Sequence, residues 1–381
     1  MMNHTTAVAL SGGVDSLVAA HLLKQSGQPL FGIHFLSGYE SFPPESAGGQ
    51  RIRPAPQKNT QNDFQDIAEN LPVSIYPLAP NHPLAAVSQA LDIEIRVIDC
   101  QDAFRDRIVQ YFIEAYRNGQ TPNPCMLCNH AIKFGLLLEA ARRLGAARIA
   151  TGHYAICKKT DENRYQLKKG WDPEKEQSYF LSLLDQKQLA RARFPLGRLT
   201  KQQVYDIAAK NHLAPVAERE SQDICFVRDR HYIEFLAEFG EFAPMPGSIV
   251  DTAGNRIGVH QGLHRYTVGQ RRGINCPSTE PYYVLRLDMA RNELVVGRKK
   301  DLYRSECRIA RINWIPEKPQ TALSVMTKIR YRHEPAASEI IPTDDDQAII
   351  RFSRPQKAIT PGQAAVCYHG DAVMAGGWID A

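Results

Sequence analysis

The chain has 381 residues, 43% hydrophobic and 23% charged, which excludes a disordered or fibrous class and leaves room for two or three domains. Its formal net charge of +5 permits an anionic partner without requiring one. No apolar run reaches about 18 residues, so no membrane span is expected, and the stretch Ala7 to Leu10 is too short for a signal-peptide core. A cytoplasmic location follows as the expectation. There the eight cysteines would be reduced and open to reactive or metal-binding roles.

Thr5 to Leu10 is β-prone, Ser11 to Ser16 reads as a turn, and the spacing of Leu17, Ala20, His21 and Lys24 predicts a helix to Gln25. A second apolar strand, Leu30 to Leu36, follows at the distance of a βαβ unit. From Gly38 to about Asp66 the chain is polar, rich in Pro, Gly, Gln and Asn, and without periodicity, which predicts a long loop or lid. Helices are expected at Pro83 to Ala90, Ala103 to Asn118, Ile132 to Leu144 and after Thr200. Strands are expected at Glu94 to Ile98 and Arg148 to Thr151. This alternation implies an α/β domain with a doubly wound parallel sheet over residues 1–228. Beyond about Asp229, short alternating segments predict a small mixed domain (229–298) and then a C-terminal β-barrel (299–381). The expected strands are Tyr282 to Leu287, Glu293 to Val296, Val325 to Tyr331, Gln347 to Phe352 and Ala364 to Tyr368.

SGGVDS, Ser11 to Ser16, lies between the first strand and the first helix. Gly12 and Gly13 let the backbone approach a phosphate and present successive N–H groups, and the helix N-terminus adds its dipole. Ser11 and Ser16 add hydroxyl donors, and Asp15 is a candidate partner for Mg²⁺. No Gly-Lys-Ser/Thr follows, so this is not a Walker A loop. The bland reading, a βα turn that uses glycine for geometry alone, fits the segment less well than phosphate binding does. The motif resembles the PP-loop of the N-type ATP pyrophosphatases, which implies adenylation as the reaction class.

Cys125 and Cys128 form a CxxC pair within TPNPCMLCNHAIKFG, and Cys225 follows in ESQDICFV. Pro122 and Pro124 are expected to hold the chain extended and place Cys128 just ahead of a helix, with Lys133 nearby; those conditions lower a thiol pKa. Between Ile224 and Phe226, Cys225 is equally readable as a small buried hydrophobe. A thioredoxin-like redox pair is a further reading of the CxxC, and it fits neither the length nor the SGGVDS turn. KIRYRH predicts Lys328, Arg330 and Arg332 on one face of a strand, and GQRRG predicts a basic loop. Taken alone, each basic patch reads as solvated surface.

The ordered set ALSGGVDS, TPNPxxxCNxxIKF, ATGHYA, QSYFL, ICF, HQGLHRYTVGQRRG, KIRYRHEP and TPGQAAV spans nearly the whole chain. On these motifs the chain resembles the tRNA-specific 2-thiouridylases. The resemblance implies ATP-dependent replacement of the C2 oxygen of a tRNA wobble uridine by sulfur. It implies contact with ATP and Mg²⁺ through Ala9, Leu10, Ser11, Gly12, Gly13, Val14, Asp15, Ser16, Phe35 and Gly152. It implies contact with tRNA through His153, Lys175, Glu176, Gln177, Arg330, Tyr331 and Gln363, with Asn123, Pro124 and Cys125 bordering the target base. Cys225 would accept a persulfide sulfur from a donor protein, or sulfur would come from inorganic sulfide; Cys128 would act as the second catalytic cysteine. The family typically has Asp where this chain has Cys125. Cys125, Cys128 and Cys225 are therefore also candidate ligands of a [4Fe–4S] cluster, as in other tRNA thiolases of the PP-loop group. Cys100, Cys157, Cys276, Cys307 and Cys367 show no such pairing and read as structural. The competing enzyme class is a PP-loop ligase that adenylates a small carbonyl substrate; it needs no catalytic cysteines.

Overall fold

The computed structural model describes residues 5–39, 73–216, 224–227, 230–344 and 346–380. All of the long loop expected from Gly38 to Asp66 lies outside these residues except Gly38 and Tyr39. The chain divides into two compact units. One comprises Met1–Val109, Cys125–Arg228 and Asp371–Val373; the other comprises Gln110–Pro124, Asp229–Gly370 and Met374–Ala381.

The first unit is built on the strands β1 (Thr6–Ala9), β2 (Leu30–Leu36), β3 (Ser74–Pro77), β4 (Ile95–Asp99), β5 (Arg148–Ala150) and β8 (Ala192–Arg193), in the order β3-β4-β2-β1-β5-β8. All pairings are parallel except β3 with β4. Ala7, Val8, Ile33, Ile149 and Ala150 are almost fully buried, the pattern of strands covered on both faces. The helices α1 (Val14–Gln25), α2 (Ala85–Leu91) and α9 (Lys201–Lys210) share one core with β1 through Leu17, Val18, Val87, Leu91, Val204 and Ala208. A hairpin of β6 (Ala155–Lys159) and β7 (Tyr165–Lys169) and the short helices α7 (Ser178–Leu181) and α8 (Gln186–Arg191) also belong to this unit. Thr200 and Gln203 cap α9 reciprocally, as Asp185 and Gln188 cap α8. Such caps each contribute about 1 kcal/mol to the start of a helix.

β1 lies between β2 and β5, so the chain leaves β1 toward one side of the sheet and returns to its other side at β5. That is a topological switch point, where the carboxyl ends of neighbouring strands open a crevice. The SGGVDS turn leaves β1 at that end, and Thr151, Gly152 and His153 leave β5 beside it.

Two sequence expectations are corrected here. Helix formation does not wait for Ile132. Helix α5 (Pro124–Cys128) runs directly into a π-helical stretch (Asn129–Leu136) and then α6 (Leu137–Arg143). Pro124 starts this helix at its first position, where a missing N–H costs nothing and a fixed φ is preorganised. Cys128 is thus inside a continuous helical run. The helix expected at Ala103 to Asn118 is present, as a continuous run of α3 (Gln101–Phe104), a π turn (Arg105–Val109) and α4 (Gln110–Arg117).

In the second unit, α10 (Tyr232–Phe239) precedes a four-stranded sheet ordered β10-β9-β12-β11. Its strands are β9 (Gly247–Val250), β10 (Arg256–His260), β11 (Tyr283–Asp288) and β12 (Glu293–Gly297). Ile249, Leu263, Val284, Leu294 and Val296 form its core. The C-terminal barrel consists of β13 (Tyr303–Trp314), β14 (Leu323–Lys328), β15 (Ala336–Pro342), β16 (Gln347–Lys357), β17 (Ala364–His369) and β18 (Ala372–Asp380). It closes where β18 pairs back with β13, around Ile309, Ile340, Ile350, Ala365 and Ile379. The second correction falls on β14, which ends at Lys328 rather than at Tyr331. Ile329 is buried at 1% exposure and His333 N donates to Arg330 O at 3.1 Å, so the chain turns there. Lys328, Arg330 and Arg332 therefore do not share a strand face.

Candidate nucleotide and thiol site

The SGGVDS turn is held by its own hydroxyls. Ser16 Oγ donates to Gly13 O at 2.8 Å, and Ser16 Oγ also accepts from Ser11 N at 3.3 Å. Gly12 has φ +84°, a left-handed conformation that a side chain would strain. Gly13 caps α1 with no side-chain partner, a helix start that can serve as an anion nest, although Ser16 N donates to Gly13 O at 3.1 Å. Gly152 packs against this turn: a Cβ on it would lie 2.8 Å from the carbonyl carbon of Asp15. That close approach is the reason for glycine after β5. Ala9 and Leu10 lead into the turn, and Phe35, near the end of β2, packs at 6.4 Å from the Phe104 ring.

Asp15, expected as a metal partner, is bound by protein groups. Lys201 Nζ donates to its two carboxylate oxygens at 2.8 and 2.9 Å, and Tyr154 Oη donates to Oδ1 at 2.7 Å. Lys201 begins α9, its N–H donates to Asp172 Oδ2 at 2.7 Å, and its ammonium lies 4.9 Å from the Tyr205 ring centre. Sequence reading passed over Lys201 and Tyr154. A usable signal existed for Lys201: directly after the capping Thr200 it puts a cation at a helix N-terminus, where the dipole disfavours one.

The thiols behave differently from the expectation. Burial pushes the Cys125 thiol up to about 11, and the neighbouring Cys225 adds to the rise. Burial raises Cys128 further still, only partly opposed by Lys133, with Cys225, Cys125 and Cys100 all adding repulsion. A helix N-terminus is therefore not what controls Cys128; desolvation is. Cys225 is exposed, which removes the buried-hydrophobe reading. Cys100 is almost fully buried. Cys157, Cys276, Cys307 and Cys367 are also free thiols. Among the described residues no three His, Cys, Asp or Glu side chains are grouped so as to hold a metal ion. The three thiols perturb one another's ionisation. With alkylating agents at neutral pH, Cys225 should react first. Cys125 and Cys128 should stay protected, and the Cys125 rate should rise about tenfold per pH unit until its thiol ionises near 11. Peptide mapping of the alkylated protein reads this order.

His153 Nδ1 lies 2.7 Å from Thr151 Oγ1, and its ring packs beside Phe134 and Phe194. Burial, then the charge of Lys133, hold its pKa well below the ordinary imidazole value, so it is neutral near pH 7. Gln177 is clamped to Tyr154: its Oε1 accepts from Tyr154 N at 3.0 Å and its N donates to Tyr154 O at 2.9 Å. Glu176 is buried and accepts from Ser178 N, and Lys175 N donates to Asp172 O at 3.2 Å. The segment 175–177 is thereby tied to the chain that follows β5.

The remaining expected tRNA residues belong to the second unit. Gln363 Nε2 donates to Thr121 O at 3.1 Å and Pro122 O at 3.2 Å, fixing the segment that carries Asn123 and Pro124. Asn123 is buried, and its N–H donates to Tyr111 Oη at 3.4 Å. Arg330 is exposed, Tyr331 has the Lys328 ammonium 5.5 Å from its ring centre, and Arg271 and Arg272 are exposed in their loop.

A parallel sheet with a glycine-rich anion nest after its first strand defines a nucleotide-binding protein of the PP-loop kind. The chain matches the tRNA methyl transferase HUP domain family over residues 4–84 and 79–229. It also matches the PRC-barrel domain of the same group over 233–298 and an aminomethyltransferase beta-barrel domain over 304–379. It is 46% identical over 380 residues to the tRNA-specific 2-thiouridylase MnmA of Desulfosudis oleivorans, covering 100% of this chain and 96% of that protein. Identity is 43% over 374 residues to the protein of the same name from Geotalea uraniireducens, covering 98% and 94%. It is 39% over 375 residues to that of Geobacter metallireducens, covering 98% and 96%. The chain belongs to the family of tRNA-specific 2-thiouridylases. No helix among its described residues is long and apolar enough to cross a membrane.

Proposed function

We propose that this chain uses ATP to adenylate O2 of the wobble uridine of tRNA and then replaces that oxygen with sulfur. The observation that carries the reading is the anion nest of SGGVDS in the same unit as three thiols, Cys125, Cys128 and Cys225, that perturb one another's ionisation. A PP-loop ligase for small carbonyl substrates would have use for the nest alone.

In the first step uridine O2 bonds to the α-phosphorus, the bond to the β-phosphate bridge breaks, and pyrophosphate leaves. Mg²⁺ arrives with ATP as part of the substrate. The nest receives the departing anion through N–H groups already in place, so little reorganisation is needed. Activation is required because a carbonyl oxygen leaves poorly and AMP leaves well. The exposed Cys225 suits sulfur acceptance from a persulfide-carrying protein, or from inorganic sulfide that attacks a Cys128–Cys225 disulfide, bonds to the Cys225 sulfur and releases the Cys128 thiolate. Its terminal persulfide sulfur forms a bond to C2 as the C2–O bond breaks and AMP departs. Cys128 then attacks the Cys225 sulfur, its thiol proton passing to the departing thiouridine; the S–S electron pair leaves with the base, and a Cys128–Cys225 disulfide remains. Each turnover consumes two electrons from an external thiol reductant that reopens that disulfide.

Cys125 takes the place of a carboxylate in this scheme and, protonated near pH 7, stands as an auxiliary thiol beside the target base with Asn123 and Pro124. His153, Lys175, Glu176, Gln177, Arg330, Tyr331 and Gln363 serve the RNA, and the setting is cytoplasmic. The test is formation of pyrophosphate from labelled ATP by the purified protein with and without unmodified tRNA. Formation that depends on tRNA is expected; equal formation without tRNA, or with a small amide acceptor alone, would point to the ligase class.

A further inference from the structure

Asp15 occupies the first turn of α1, among the N–H groups that receive the anion. A carboxylate there competes for the positive end of the helix dipole and repels a polyphosphate. Lys201 meets the opposite difficulty, since its ammonium sits at the positive end of α9. The two charges cancel at 2.8 and 2.9 Å, with Tyr154 Oη donating to the same carboxylate at 2.7 Å. In this pair the ammonium is withdrawn from water and the carboxylate only partly so: the Lys201 side chain is 10% exposed and that of Asp15 33%. Its ammonium is further flanked by the rings of Tyr205 and Tyr154, at 4.9 and 6.0 Å. Asp172 fixes the backbone from which it projects.

We infer that Lys201 is a positioning residue that cancels the charge of Asp15 and so keeps the nest receptive to the polyphosphate of ATP. It acts through Asp15, and its contribution is electrostatic rather than a contact with the reacting atoms. The inference rests on the assignment of the nest to ATP and deepens it. Removing the ammonium alone leaves an uncompensated carboxylate at the mouth of the anion site. Removing both charges leaves the site neutral again.

The experiment is equilibrium binding of ATP in the presence of EDTA, so that Mg²⁺ does not mask the charge, to the full chain and its K201Q, K201R and D15N/K201Q forms. Circular dichroism melts confirm that each is folded. K201Q should bind ATP roughly tenfold or more weakly than the wild type, while K201R stays within about threefold. The double variant should recover to within about threefold of the wild type. In tRNA-dependent pyrophosphate formation, the K201Q loss should fall on KM for ATP more than on kcat. Unchanged binding by K201Q overturns the inference, and so does a folded double variant that binds as weakly as K201Q. If K201Q fails to fold, a folded double variant that binds ATP roughly tenfold or more weakly than the wild type overturns the inference. Absence of ATP binding by the wild type would overturn the assignment of the nest itself, a separate result.

Discussion

Replacing Cys225 with serine is expected to abolish sulfur transfer, a loss on the order of 10³ or more, because a hydroxyl cannot carry sulfur as a persulfide. Adenylation should survive. A single-turnover experiment should still show a burst of pyrophosphate per bound tRNA, since Cys225 lies outside the nest that receives that anion. The split follows from exposure: Cys225 is exposed, whereas burial keeps Cys125 and Cys128 protonated. Cys128→Ala should fail later, after sulfur has bonded to C2, and should leave a covalent complex of protein and tRNA visible on a non-reducing gel. Thiolation that persists in the Cys225→Ser protein would show that sulfur reaches the base by another route.

Gly152→Val is expected to disable the ATP half with the thiols untouched. A Cβ on Gly152 falls 2.8 Å from the carbonyl carbon of Asp15 and 3.0 Å from its Cβ. Both belong to the first turn of α1, so either the nest or the chain after β5 must move. Overpacking of this kind costs about 1–3 kcal/mol, and here it falls on the positioned donors themselves. Affinity for ATP should drop roughly ten- to hundredfold, with tRNA binding retained. Calorimetric titration with ATP and a filter-binding assay with tRNA separate the two effects.

The parallel sheet was legible because its strands are short apolar runs separated by helical spacing; Leu30 to Leu36 coincides with β2. Edge and hairpin strands were not. β3 has only four residues and is largely exposed, and β6 and β7 carry Lys158, Lys159, Lys168 and Lys169 in place of an apolar alternation. Pro124 was misread because proline both ends extended segments and starts helices, and local sequence does not distinguish the two. The turn between β1 and α1 was legible from Gly12, Gly13 and the serines, all close in sequence. Thiol chemistry was not: whether Cys128 is activated or suppressed depends on burial by residues distant in sequence, and burial prevailed over Lys133. The same limit hid the Lys201–Asp15 pair, whose members are separated by 186 positions.

The most direct test of the central claim is nucleoside mass spectrometry of tRNA incubated with the protein, ATP and a persulfide donor. One uridine per tRNA, at the wobble position, should gain the mass difference of sulfur over oxygen, with one AMP and one pyrophosphate released for each sulfur inserted. Consumption of ATP with the uridine unchanged, or appearance of a methylated nucleoside instead, would contradict it.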